Sequence, residues 1–153
     1  MARATAHAPV VLALSLLAAA SAPVAAADGA ALYATHCAAC HQADGGGTVG
    51  LAPPLRGEHW VRLAAQRGYL AAVLLNGLSG PIKLGTQTFV GSMPGFAAQL
   101  DDDALAAIAT QVRRLQGAAA AEPAYGAEEI RAERAKPGSP PQTRQRRVQL
   151  LGG

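Results

Sequence analysis

An all-α fold is predicted for this chain, a small helical domain wrapped around a centre that its own side chains do not fill. Three observations predict it. Only helices and loops emerge along the chain, and the clearest apolar periodicity runs through Leu105, Ile108, Val112 and Leu115 at spacings of three and four. The stretches between helices are long and rich in Gly and Pro, which is unusual for so small a body. Bulky core-fillers are scarce, with one Trp, three Tyr and two Phe among 153 residues. A chain of that length holds one domain of ordinary size plus extras, because two separate cores would each be marginal.

Residues 1–27 have the three-part layout of a secretory signal peptide: Arg3 in a short basic lead, an apolar stretch from Pro9 to Ala20, and small residues ending Ala25-Ala26-Ala27. Cleavage after Ala27 is expected. The rival reading, an uncut anchor, is disfavoured because the apolar stretch is shorter than the roughly 20 residues a spanning helix needs. Export to a bacterial periplasm follows as the expected location, with no stable membrane span after cleavage. Asp28 to Cys40 is Ala-rich and free of Pro and is expected to form a short leading helix. Gly45-Gly46-Gly47, Gly50 and Pro53-Pro54 impose irregular loop. Glu58 to Gln66 and Tyr69 to Leu75 read as two short helices separated by Gly68, ended by Asn76, Gly77, Gly80 and Pro81. Lys83 to Gly95 reads as loop. The last confident helix starts at Asp101, a good N-cap followed by Asp102 and Asp103, and closes with Arg113, Arg114 and Gly117. These elements make residues 28–120 the domain and leave 121–153 as a charged C-terminal tail containing Pro and Gly. Within the tail, Pro123 to Lys136 can form a charged helix with little apolar face, and Pro137 to Gln145 is expected to be flexible.

The formal net charge of +3 is not a binding signal once it is divided. Residues 28–120 carry six basic and six acidic side chains, whereas 121–153 carry six basic and four acidic ones. No Lys/Arg run is interleaved with aromatics, so nucleic acid is excluded as a partner.

The chemistry lies in Cys37-Ala38-Ala39-Cys40-His41. Two thiols at this spacing can reach adjacent vinyl groups of one haem while the neighbouring imidazole reaches its iron. Two other readings compete. Zinc wants four donors, and beyond the motif the exported chain offers only His36 and His59. A thioredoxin-like redox pair wants a preceding strand and a surrounding sheet, which the pattern lacks. One covalently bound haem c is therefore expected, on Cys37 and Cys40, with His41 as an iron ligand. For the opposite iron face the candidate is Met93, the sole methionine after the start residue, in Gly91-Ser92-Met93-Pro94-Gly95. A lone Met is ordinarily a core gap-filler. Its place just before the final helix, with the His on the other side, favours ligation.

These residues resemble the class I c-type cytochromes over about residues 29–117, in the leading helix, the Cys-Ala-Ala-Cys-His motif, Ala52-Pro53-Pro54-Leu55-Arg56-Gly57, Asn76-Gly77-Leu78, Met93-Pro94 and the closing helix. The resemblance implies a cytochrome c-like helical fold with His41 and Met93 as axial ligands. It also implies that Gly29 and Tyr33 help the first helix meet the last, and that the Pro53 carbonyl receives the proton on the outer nitrogen of His41 and so orients it. The closing helix departs from the pattern by carrying Gln111 where an aromatic partner is usual. Arg56, His59 and Trp60 are candidates for the haem propionates, although a surface His and a core Trp explain the last two equally well. His36 is expected to face solvent, the Asp101 to Asp103 cluster to cap its helix, and Gly45 to Gly47 to be loop rather than a phosphate cradle.

With both axial positions filled, the expected function is single-electron transfer with no catalytic residue, to and from redox partner proteins. A dehydrogenase is the expected donor and an oxidase or another cytochrome the expected acceptor, as in a respiratory chain. The protein is then either a free carrier or the electron-transfer subunit of an exported dehydrogenase gripped by residues 121–153. The rival is a haem sensor or peroxidase-like enzyme with an open axial position.

Overall fold

The computed structural model describes Met1 and residues 27–152; the signal-peptide expectation rests on residues that lie outside them. The described chain is predominantly helical. Helix α1 (Gly29–His36) begins where the Asp28 carboxylate accepts from Ala30 N at 3.0 Å and Ala31 N at 3.2 Å. It breaks at Cys37, and one further turn, α2 (Ala38–His41), delivers the motif histidine. Helices α3 (Glu58–Ala64) and α4 (Arg67–Asn76) follow the first Gly/Pro loop. Helix α5 (Asp102–Leu115) is capped by Asp101, which accepts from Ala104 N at 2.8 Å, as its acidic start suggested.

Helices α1 and α5 cross in close contact. The approach is set by Gly29, where an added Cβ would lie 2.3 Å from the Ala107 carbonyl oxygen. Backbone proximity at that glycine brings the two helices together, and Gln111, in the place of an aromatic partner, is only half-buried. The core lies between α4, which is buried along nearly its whole length, and the inner face of α5 formed by Leu105, Ile108, Ala109 and Val112.

Two expectations are corrected. The stretch read as loop from Lys83 to Gly95 contains an antiparallel hairpin, β1 (Ile82–Leu84) with β2 (Gln87–Phe89), in the register Ile82 to Phe89. Gly85, at φ +57, makes the tight turn, and the paired Ile82 and Phe89 both turn inward to the core. The hairpin is only three residues a side, too short for an alternating pattern to register in the sequence.

The second correction concerns Pro137 to Gln145, expected to be flexible and found to enter a helix at Pro140, whereas the charged helix allowed within Pro123 to Lys136 is present in the tail. The tail folds into α6 (Ala127–Arg134) and α7 (Pro140–Leu151), with α6 against α4 and α5 and α7 against α3 and α4. Pro140 sits in the first turn of α7, where its missing N–H costs nothing, so the Pro-rich stretch starts a helix rather than preventing one. Few apolar residues anchor the tail, chiefly Tyr125 and the fully buried Ile130. Charged side chains reaching the body do the rest. Arg67 lies 3.9 Å over the Tyr125 ring and forks onto Glu129 at 2.7 and 2.8 Å. Arg134 donates to Asp102 at 2.8 Å and to the Leu100 carbonyl at 2.9 Å, while Arg146 joins Glu133 at 2.6 Å to the Gly68 carbonyl at 3.2 Å.

Hydrogen bonds from Arg67 hold the Glu129 carboxyl below its ordinary value of 4.5, and those from Arg113 do the same for Glu122. A carboxyl depressed in the folded state stabilises it fully above the unfolded value and loses that contribution as pH falls through the folded value. Stability measured by guanidinium unfolding should therefore decline as pH is lowered past about 4.5. Glu129→Gln should show a lower plateau at neutral pH and a flatter acid limb.

Candidate functional site

The helices and loops face a shared hollow. Its empty space, counted with its open mouth, is about 1030 Å³, and apolar side chains make up most of its lining. Cys37, Cys40, His41, Pro53 and Met93 all border it. One cavity thus gathers the five residues that the sequence assigned to the haem and its iron.

His41 is buried at the end of α2. Its Nδ1 lies 3.2 Å from the Pro53 carbonyl oxygen. A carbonyl can only accept, so the ring proton resides on Nδ1 and the Nε2 lone pair is left for another partner. Burial lowers the His41 pKa, and the bond to Pro53 opposes that shift only in part, so the ring is neutral at physiological pH, the form that ligates metals. The segment after the motif is latched around it: Tyr33 OH donates to Gln42 O at 2.7 Å, Thr48 Oγ1 to Cys40 O at 2.8 Å, and Gly47 N to His41 O at 3.0 Å. Gln42, at φ 62 and ψ 160, holds a conformation nearly confined to glycine, and its carbonyl receives both the Tyr33 hydroxyl and Gly45 N. Burial accordingly pushes the Tyr33 pKa up to about 12.

The two thiols are free, Cys37 buried and Cys40 exposed. Burial, and secondarily Cys40, pushes the Cys37 thiol up to about 11. A neutral buried thiol is the opposite of the low-pKa thiolate that a disulfide oxidoreductase or zinc site uses. Among the described residues no strand precedes the motif, and no group of three His, Cys, Asp or Glu side chains gathers as for a metal ion.

Met93 is fixed by its backbone. Its N–H donates to Leu78 O at 2.9 Å and its carbonyl accepts from Leu78 N at 3.0 Å, an isolated bridge just past the end of α4. On its other side Gly91 N donates to Leu51 O at 3.0 Å, and beyond it Phe96 N donates to Leu74 O at 2.9 Å. Gly77, at φ +75, allows this approach, since a Cβ there would meet the Met93 carbonyl oxygen at 2.3 Å.

The remaining candidates separate. Trp60 borders the cavity and donates from Nε1 to Pro54 O at 3.2 Å. His59 points Nε2 at the same carbonyl from 3.3 Å, and burial, followed by the charge of Arg147, lowers its pKa to about 4. Arg56 is turned to the surface in an ion pair with Asp44 at 2.5 Å and does not border the cavity. His36 is half-buried rather than solvent-facing: it borders the cavity and meets the Phe96 ring edge-on at 5.9 Å. Arg147 of α7 also reaches the cavity wall. Sequence reasoning missed it because it lies in the stretch taken for a tail, within a basic run shared with Arg144 and Arg146.

The family model described as Cytochrome c matches residues 26–116. The chain belongs to the cytochrome c family. "Cytochrome c-552" of Thermus thermophilus is 39% identical over 130 residues, covering 81% of this chain and 97% of that protein. The same name from a second strain of that species matches equally, over 86% of its length. "Dihydro-heme d1 dehydrogenase" of Pseudomonas aeruginosa is 40% identical over 126 residues, covering 82% of this chain but 22% of that longer protein. Membership of the cytochrome c family means one covalently attached haem c and a role as an electron-transfer protein. The cavity fits that group, offering a large apolar hollow, a pair of thiols and a neutral imidazole at one wall, and a thioether on a braced loop. The cytochrome should tolerate no side chain at Gly77. Gly77→Ala is expected to lower its unfolding free energy by about 1–3 kcal/mol, from positive φ and overpacking together, measured by chemical denaturation of the matured protein.

Proposed function

We propose that this cytochrome works in a bacterial periplasm after export, moving single electrons between redox proteins with no catalytic residue of its own. Cys37 and Cys40 carry the haem by thioether bonds, His41 and Met93 ligate its iron, and Pro53 orients His41. The observation that carries this reading is the 3.2 Å hydrogen bond from His41 Nδ1 to Pro53 O, which presents a neutral imidazole with Nε2 unprotonated beside the Cys pair.

When bound, the haem supplies a reversible one-electron couple at its iron. The chain's residues determine how that couple is used. Leu55, Leu70, Leu74 and Val112 exclude water from the cavity wall, and a dry surrounding favours the less charged reduced state. A thioether at Met93 also favours reduced iron. The Met93 segment, bonded by backbone to Leu78 and flanked by Gly91 on Leu51, holds Met93 at the cavity border, which supports ligation over the sensor or peroxidase-like alternative. Leu51, exposed and bordering the cavity, and the exposed Val49 and Val90 suit small transient contacts with a dehydrogenase donor and an oxidase or cytochrome acceptor. The Pseudomonas relative, in which a matching segment forms part of a protein named as a dehydrogenase, supports the electron-transfer-subunit variant beside the free-carrier one. Among the described residues no helix is long and apolar enough to cross a membrane.

Protein matured in a host with haem-attachment machinery should weigh one haem more than its processed polypeptide and show a six-coordinate low-spin spectrum. Cys40→Ala should lose normal covalent retention, read by intact mass after acid-acetone extraction. Met93→Ala should open the iron to added cyanide or imidazole, abolish the weak sulfur-to-iron absorption in the red, and lower the midpoint potential. A Met93→Ala spectrum identical to wild type would overturn the ligand assignment.

A further inference from the structure

Arg147 is the one buried cation of α7 that the protein itself leaves unanswered. Its residue exposure is 6%, its Nη2 is buried without a hydrogen-bond partner, and it borders the haem cavity. Among the described residues, no carboxylate forms an ion pair with it, whereas its neighbour Arg146 is paired with Glu133. Arg147 lowers the pKa of Tyr69, through its charge and a side-chain hydrogen bond, and of His59, through its charge, opposing burial at Tyr69 and reinforcing it at His59. Neither is an anion at neutral pH, so the guanidinium has no counter-charge in the polypeptide. A buried charge in this condition is strongly unfavourable unless a ligand completes it. A planar guanidinium matches a carboxylate best, through parallel N–H donors.

We propose that Arg147 binds a propionate carboxylate of the haem, so that the C-terminal helix α7 closes the propionate side of the site and tunes the redox potential. The inference rests on the haem-binding reading above and extends it to a residue outside the family-matched segment 26–116. Trp60, on the same cavity, has its Nε1–H committed to Pro54 O, and Arg56 is committed to Asp44, so neither competes for the role in this arrangement. The position of α7 is independently secured: Arg62 Nη1 donates to Leu151 O at 2.7 Å and Arg144 Nε to Pro81 O at 3.0 Å. Arg147 is thereby held at the cavity wall before any carboxylate arrives, which lowers the ordering cost of the pair.

A cation fixed beside the propionate does two things. It favours reduced iron, which has one positive charge fewer than the oxidised state, only if it is not itself over-neutralised; and it keeps the carboxyl ionised well below the ordinary range. The second effect is the sharper signature. With the pair intact, the propionate stays ionised across pH 5 to 8 and contributes no slope to the midpoint potential there. With the pair broken, its carboxyl rises toward or into that window and the potential becomes pH-dependent.

The test uses the full matured cytochrome as wild type, Arg147→Lys and Arg147→Gln, each first checked by intact mass for covalent haem. Arg147→Gln should show a lower midpoint potential at pH 8 and a potential that falls as pH rises from 5 to 8, with Arg147→Lys between it and wild type. If Arg147→Gln does not fold, carbon-13 NMR of wild type carrying haem labelled at the propionate carboxyls decides alone. One carboxyl should titrate clearly below the other. Two carboxyls titrating together in the range of exposed acids, or an Arg147→Gln variant with unchanged potential and pH profile, would overturn the proposal while leaving the haem assignment intact. Wild type without haem mass would instead remove the reading on which it rests.

Discussion

An interior too large for its own side chains is the constraint on which the rest of this structure depends. Cores elsewhere are close-packed, with few voids larger than a water molecule. Here α5 packs on both α1 and α4 at one side, while α4 and the loops between the helices border an open hollow. Residues such as Leu70, Val73 and Leu74 are buried in α4 and also border that hollow. On the proposed attachment, a flat apolar group held at Cys37 and Cys40 would fill that hollow, and its binding would stabilise the folded chain by mass action and by apolar contact.

The loops that line the cavity have little regular structure, and their order comes from backbone pairing around the hollow. Thr48 N donates to Ala52 O at 2.9 Å, Leu55 N to Gly45 O at 2.8 Å, and Val90 N to Gly50 O at 3.0 Å. Each bond ties a segment near the histidine side to its neighbour or to the methionine side. Such close approach needs glycine where a Cβ would collide, as at Gly47, where it would sit 2.5 Å from the Ala52 carbonyl oxygen. The Gly-rich stretches are therefore the means by which long loops acquire defined positions without a core of their own.

This explains what was legible in the sequence. The Cys-Ala-Ala-Cys-His motif states its chemistry through residue type and spacing, and the helix from Asp101 states itself through capping and a strong apolar stripe. Met93 was legible only with the motif, because a lone methionine has no local signature. The Pro53 carbonyl came from family resemblance, since nothing in a proline predicts the partner of its oxygen. The hairpin at Ile82 to Phe89, the second helix of the tail and the packing of the tail on the body were not legible. The hairpin is too short for periodicity, and the tail is attached through long-range guanidinium contacts, such as Arg67 with Glu129 and Arg134 with Asp102, that couple residues far apart in sequence. His36 misled for a related reason: nothing local in the sequence turns it inward, but Phe96, sixty residues on, supplies the ring that it meets.

The basic character of the chain then takes on a different meaning. Its pI of about 9.2 invites a picture of a cationic arm that attracts an acidic partner. Five of the six cations beyond residue 120 instead bind this protein: Arg131 and Arg134 reach Asp102, Lys136 and Arg146 share Glu133, and Arg144 meets the Pro81 carbonyl. Arg147 is buried at the haem cavity. Residues 28–152 hold twelve basic and ten acidic side chains, and the two propionates of a haem bring that balance to neutrality when its iron is reduced. With that balance, net charge offers little long-range steering over residues 28–152. The C-terminal charges serve to fasten a helix over the site, which ties the electrostatics of the tail to the chemistry of the centre.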